Sequence, residues 1–163
     1  MMHKDAAAGG ISWAEHDHAG CVSEALRVAE EVCEARGVRL THLRRRVLEL
    51  VWNGHKAIGA YTLLEHLQQE GKAAPPTVYR ALDFLLEQGL IHRLASLNAY
   101  VGCIRPGSPH SGQFLICEAC QNLIEFHDLA VDQAISSRSR SDGFLPSRQT
   151  VEILGLCPRC QDV

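Results

Sequence analysis

From about residue 21 to 36 the apolar positions Val22, Ala25, Leu26, Ala29, Val32 and Cys33 recur at i, i+3, i+4 and i+7, which predicts one buried helix face ending at Gly37. A second helix is expected after Thr41, a suitable N-cap, with Leu43, Val47, Leu48 and Val51 inward and Arg44, Arg45 and Glu49 outward. Asn53-Gly54 stops it. A third helix, over about residues 60–70, turns Leu63, Leu64 and Leu67 inward and closes on Gly71. Pro75-Pro76-Thr77 is the start signal of a fourth, whose buried face carries Val78, Ala81, Leu82, Leu85 and Leu86 and whose outer face carries Tyr79, Arg80 and Asp83.

After Gly89 the period changes to that of extended chain, over residues 90–95 and 99–103, with a tight Leu97-Asn98 turn between. Helices followed by a hairpin, the last helix presenting an aromatic and an arginine outward, describe a winged helix-turn-helix unit. Arg105-Pro106-Gly107-Ser108-Pro109 is dense in chain breakers. Beyond it, residues 113–117, 122–126 and 150–156 read as strands, with a helix over about 128–139. The expected fold class is therefore α+β: a flexible tail (1–20), a winged-helix DNA-binding domain (21–104), a hinge linker (105–112) and a small α/β dimerisation domain (113–163). A β-β-α-β unit of that size needs a staple, a partner, or both.

Charge sharpens this division. The formal net charge of −3 argues weakly against a nucleic-acid partner, but residues 36–105 carry ten basic side chains against five acidic ones, and residues 106–163 carry four against seven. The basic charge is confined to the segment that reads as a winged helix. No apolar run approaches the roughly 18 residues of a membrane span, and the first twenty residues lack a secretory-type apolar stretch, so a cytoplasmic protein with no membrane partner is expected.

Seven cysteines in a reducing compartment, an odd count, favour metal ligation over a disulfide framework. Cys117-x-x-Cys120 and Cys157-x-x-Cys160 can each offer two thiolates to one tetrahedral zinc. Two disulfides or two redox-active pairs are the alternatives, and no thioredoxin-like βαβ context supports the latter. The 36 residues between the pairs are too many for a stand-alone finger and would tie the first strand of the small domain to its end. A second set comprises His92, Cys103, His110 and Glu125. A two-residue turn would place His92 directly opposite Cys103; His110 lies in the linker and Glu125 on a later strand, so one ion held by all four would bridge the domains. By spacing alone such residues are as readily surface or core groups. A thiolate, two imidazoles and a carboxylate suit zinc better than iron.

The run Pro75-Pro76-Thr77-Val78-Tyr79-Arg80-Ala81-Leu82-Asp83-Phe84-Leu85-Leu86-Glu87-Gln88-Gly89-Leu90-Ile91, followed by Cys103, His110 and the two C-x-x-C pairs, resembles the ferric uptake regulator superfamily, and within it the zinc uptake regulator branch. The resemblance extends from about residue 22 to 160. It implies a dimeric repressor on operator DNA of dyad symmetry, with zinc as corepressor and two zinc ions per chain. One is structural, on Cys117, Cys120, Cys157 and Cys160; the other is regulatory, at positions matching His92, Cys103, His110 and Glu125. The chain departs from the family in opening its second helix with Thr41-His42-Leu43-Arg44 in place of Thr-Pro-Gln-Arg, and in ending three residues after Cys160.

For DNA, Arg80 in the first turns of the fourth helix is placed to reach a guanine edge bidentately, beside Thr77 and Tyr79. Tyr61 matches a family position that contacts DNA, a partly buried phenol being the alternative. Arg44 and Arg45, with Arg46, form a basic run suited to phosphates, or simply solvated. Cys33 reads as core; Cys21 has no assigned role; His16 and His18 fall in the tail; His127 lies near Glu125 and is a possible substitute ligand. Competing functions are an iron- or peroxide-sensing repressor, disfavoured by the oxidisable Cys103, a zinc-buffering protein, which leaves the basic domain unexplained, and a zinc hydrolase. No H-E-x-x-H, nucleophile elbow or deaminase signature supports an enzyme, and no small-molecule substrate is expected.

Overall fold

The structure, a computed structural model, describes residues 18–54, 56–71 and 73–161. The expected tail and His16 lie outside the described residues, apart from the first turn of helix, which begins at His18. Four helices come first: α1 (His18–Ala35), α2 (His42–Trp52), α3 (Ala60–Gln69) and α4 (Pro75–Glu87). A hairpin of β1 (Ile91–Leu94) and β2 (Ala99–Gly102) follows. Then come β3 (Gly112–Cys117), β4 (Leu123–Phe126), α5 (Leu129–Ser141), β5 (Thr150–Gly155) and a short α6 (Pro158–Gln161) that the sequence pattern did not reveal.

Local chemistry sets the boundaries. Thr41 caps α2 from an extended backbone, its hydroxyl accepting from the Arg44 N–H, and α4 starts on two prolines whose missing donors cost nothing in a first turn. At the end of α4, Gly89 adopts a φ of 67°, and the Leu90 N–H returns to the Leu85 carbonyl, so the chain turns directly into β1. Asp128 caps α5, accepting from Ala130 and Val131.

The helices enclose one apolar core in which Leu26, Ala29, Val47, Leu48, Val51, Leu63, Leu67, Val78, Leu82 and Leu85 are buried, with Cys33 among them as expected; Cys21, on the same helix, is half-buried. Ile58 pairs with Tyr100 and extends the hairpin by a single bridge. A winged helix-turn-helix unit results. β3, β4 and β5 form a second sheet in the order β4-β3-β5, with β3 and β4 antiparallel and β3 and β5 parallel. A smaller apolar cluster joins the two sheets: Leu94 and Val101 of the hairpin pack against Phe114, Ile116 and Leu123. No helix among the described residues is long and apolar enough to cross a membrane.

The hairpin register differs from the expected one. His92 pairs with Val101, and Ile91 with Gly102, so Cys103 lies one residue past β2 and its N–H donates to the Leu90 carbonyl. The turn uses Ala95, Ser96, Leu97 and Asn98 because Asn98 takes a left-handed φ of 46° and the Ala95 and Ser96 N–H groups are bound by Glu152 instead of by the opposite strand. The shift is an even number of residues, so Cys103 still faces the same side as His92.

Candidate metal centres and nucleic-acid interface

The parallel pairing of β3 with β5 brings their C-terminal ends together, Cys117 standing opposite Gly155. Cys117 ends β3, Cys120 follows in a turn closed by Gln121 at a φ of 62°, Cys157 comes just after β5, and Cys160 lies on α6. Their four sulfurs lie within 4.8 Å of one another. Cys120 Sγ is 3.8 Å from Cys157 Sγ, and the Cys157 N–H donates to Cys117 Sγ. Backbone N–H groups of Cys120 and Cys157 pointing at its sulfur push the Cys117 thiol down to about 6, a thiolate at neutral pH, while Cys160, beside Cys157 and the other sulfurs, is pushed up. Four sulfurs this close together, one of them met by backbone donors, match the ligand set of a closed tetrahedral zinc site, which would hold all four as thiolates.

The second group draws on three segments: His92 on β1, Cys103 and His110 on the connection, and Glu125 on β4, whose ligand atoms also lie within 4.8 Å of one another. His110 donates from Nδ1 to the Ser108 carbonyl at 2.7 Å, so in a neutral ring the Nε2 lone pair faces inward. That nitrogen sits 3.0 Å from Glu125 Oε1 and 3.3 Å from Cys103 Sγ. His92 Nε2 is 2.8 Å from the same carboxylate oxygen but off the angle of a hydrogen bond, which leaves it a buried nitrogen without a partner. Glu125 is only 2% exposed. Burial drives its carboxyl up, but His92, the Ile104 N–H and His110 outweigh that and hold it below the usual range. Burial, and then the Glu125 charge, push the Cys103 thiol far up. Two imidazoles, a sulfur and a carboxylate converge on one point, with one imidazole nitrogen buried and unpaired, a donor set that a divalent cation satisfies.

Two neighbours shape this site. Gly112 has no side chain where a Cβ would stand 2.6 Å from the Phe114 ring and 3.2 Å from His92 Nδ1. Phe114, fully buried, packs edge-on to the His92 ring. His127 does not join the cluster: its Nδ1 faces Asp132 Oδ2 at 3.5 Å, because β4 ends at Phe126 and the chain turns toward α5. Asp132 also accepts from Ser111, Gln113 and Gln149, a hub that sequence reasoning missed because its members are scattered and none is a metal-type residue by itself except the aspartate.

Of the residues expected at DNA, Tyr61 is 72% exposed at the start of α3, and Thr77, Tyr79 and Arg80 are exposed in the first turns of α4. Among the described residues Arg80 makes no salt bridge. The basic run of α2 is engaged differently. Arg44 lies 3.6 Å over the Phe84 ring and donates to the Arg39 carbonyl, Arg45 pairs with Glu30 and Glu49, and Arg46 with Glu70 and Glu49. Arg45 and Arg46 thus face carboxylates within the protein, whereas Arg44 faces a ring and a carbonyl.

Residues 35–154 match the model of the Ferric uptake regulator family. The chain belongs to that family. It is 42% identical over 142 residues to the Zinc uptake regulation protein of Escherichia coli (strain K12), covering 86% of this chain and 83% of that one. In three dimensions this family member superposes on holo XcZur with a TM-score of 0.81 at 42% identity, over 87% of this chain and 99% of that one. A zinc uptake regulator complexed with zinc and DNA gives 0.81 at 40% identity, over 86% and 95%. On apo XcZur, with coverage of 86% and 97%, the score is only 0.52 at the same 42% identity.

Proposed function

We propose that this chain is a zinc-responsive transcriptional repressor that binds operator DNA of dyad symmetry as a homodimer, with zinc as corepressor controlling zinc-uptake and homeostasis genes, and that it acts in the cytoplasm and not as an enzyme. The observation that carries the reading is the second ligand group: four donor atoms from hairpin, connection and β4 converge within 4.8 Å of one another, in a chain whose overall fold superposes on the holo and DNA-bound relatives with a TM-score of 0.81. Two zinc ions per chain follow, one structural on Cys117, Cys120, Cys157 and Cys160, and one regulatory on His92, Cys103, His110 and Glu125. When bound, the second ion supplies the positive charge that holds these acceptors together.

The chain's own residues do the rest. Glu125 meets the Ile104 N–H and His110, with His92 close beside it, so the winged domain (residues 21–104) is oriented against the small domain (113–163) across the hinge (105–112). With the hinge unrestrained, the two reading heads of a dimer sample many spacings and few match two half-sites; restraint raises affinity by raising that fraction. Tyr61, Thr77, Tyr79 and Arg80 form the reading face. For the dimer, β5 is an open sheet edge with Ile153 and Leu154 exposed and Leu156 exposed just beyond it, and α5 buries none of its residues, a combination that a second copy would cover. The buried thiol Cys103 disfavours iron or peroxide sensing at this site. A gel-shift titration of operator DNA with zinc and then with a chelator tests the proposal: binding should tighten with zinc and relax on chelation, and zinc-independent affinity would refute it.

A further inference from the structure

Across the three-stranded sheet, Phe114 pairs with Glu125 on β4 and with Glu152 on β5. Directly paired residues share a face, so Glu125, Phe114 and Glu152 form one row, carboxylate, phenyl, carboxylate, pointing at the hairpin. Each carboxylate grips it at a different end. Glu125 meets His92 and the Ile104 N–H near the hairpin's base. Glu152 accepts from the Ala95 and Ser96 N–H groups of the turn, at 2.7 and 3.0 Å. The buried Phe114 packs between them against the His92 ring, and Leu94 and Val101 belong to the same apolar cluster.

A single anchor leaves a hairpin free to pivot; two, one at each end, fix its direction. Building on the zinc-responsive reading above, we propose that Glu152 is a positioning residue for the wing: its two-pronged grip on the turn completes the closed arrangement that zinc stabilises at the other end, and so sets the zinc concentration at which the protein takes up its DNA-binding form. Both prongs go to main-chain donors, so the grip needs only the turn conformation and a carboxylate. Hydrogen bonds to an ionised acceptor are about twice as strong as neutral ones, and these two exist only while the hairpin lies on the sheet. Because Glu152 sits on the edge strand that offers the dimer surface, the grip also ties the wing's direction to the dimer axis.

The test compares wild type with Glu152→Gln and Glu152→Ala in the full-length protein, each loaded with zinc chloride in a metal-buffered series. Gln keeps one acceptor and Ala none. Zinc content per chain at saturation, and melting of the form that keeps only the four-cysteine ion, should match wild type. The free zinc needed for half-maximal operator binding should rise by roughly tenfold in Ala and by less in Gln, the size of an ordinary inter-site coupling. Amide exchange at Ala95 and Ser96 should quicken in the same order. An unmoved zinc requirement together with faster exchange would make Glu152 a cap of the turn without influence on the switch, and overturn the proposal. Unchanged exchange would overturn it too, by showing no grip in solution. If wild type itself binds operator equally with and without zinc, the zinc-responsive reading fails and this coupling with it, whatever the amides do.

Discussion

Glu125 Oε1 stands 2.8 Å from His92 Nε2, although one residue is on β4 of the three-stranded sheet and the other on β1 of the hairpin. The two sheets share no strand pairing, so this distance measures how closely the wing is pressed to the sheet. If these four residues hold one ion, as proposed, ion binding and wing orientation become one equilibrium, and each must then favour the other to the same extent.

Gly112 leaves no room for a side chain beside His92, which yields a first prediction. In Gly112→Ala the new methyl meets the Phe114 ring and, at 3.2 Å, His92 Nδ1. Relief requires the aromatic or the imidazole to move. Stability should fall by about 1–3 kcal/mol, as for other overpacked sites, and zinc at the second site should weaken by roughly tenfold with the four-cysteine ion retained. Metal analysis after competition with a chelator, beside thermal melting, reads both. Unaltered affinity at the second site would mean that the His92 position is not what Gly112 protects.

The four-cysteine group gives a second. Cys117→Ser or Cys157→Ser removes a sulfur that joins the ends of β3 and β5, in a part of the chain whose core is small and whose α5 buries nothing. Binding energy at such a site is largely folding energy. The expected outcome is loss of one zinc per chain together with an unfolded or monomeric three-stranded sheet, seen by sedimentation and circular dichroism. A folded dimer with unchanged melting would show that the ion is dispensable.

The pattern of the chain revealed most of this, and where it failed the cause is physical. Helical periods, Thr41, the paired prolines and the two C-x-x-C pairs are local signals, and the elements they announce are present. The hairpin turn is not local: two of its four residues, Ala95 and Ser96, are bound by Glu152, far along the chain, and no turn statistics contain that carboxylate. The register therefore differs by two residues from that of a two-residue turn, yet His92 and Cys103 share one face because the side-chain period of a strand is two. The fold adds partners that the sequence does not announce for the basic run expected at phosphates, Phe84 beneath Arg44 and Glu30 and Glu49 beside Arg45.

That contrast separates the arginines experimentally. Arg80→Ala should weaken specific operator binding by about 1–3 kcal/mol with zinc content and dimerisation intact, whereas equal loss on operator and random DNA would assign Arg80 to phosphate. Arg46→Ala should act on the protein instead. Its guanidinium pairs with Glu70 and Glu49 at the partly exposed edge of α2, so about 1 kcal/mol of stability, or less, should go, with little change in the preference for operator over random DNA.

Cys103 provides the most discriminating test, because its sulfur is the softest of the four donors in the second group and the one that most favours zinc over iron or manganese. It is buried against Glu125 and 3.3 Å from His110 Nε2, where burial and the neighbouring carboxylate both oppose its ionisation, so without a cation it contributes an uncharged thiol to a crowded polar pocket. Cys103→Ser nearly conserves the volume and replaces a soft donor by a hard one. The structural ion, at the far ends of β3 and β5, should be unaffected. The variant should therefore carry one zinc per chain in place of two, remain a dimer, and still bind DNA weakly through charge with the usual steep salt dependence, but no longer tighten on operator when zinc is added. Zinc stoichiometry measured beside operator affinity, with and without added zinc, decides the matter. Should the variant lose one zinc and keep its full zinc response, Cys103 would be a ligand without regulatory consequence, and orientation of the wing by that ion would not be the switch.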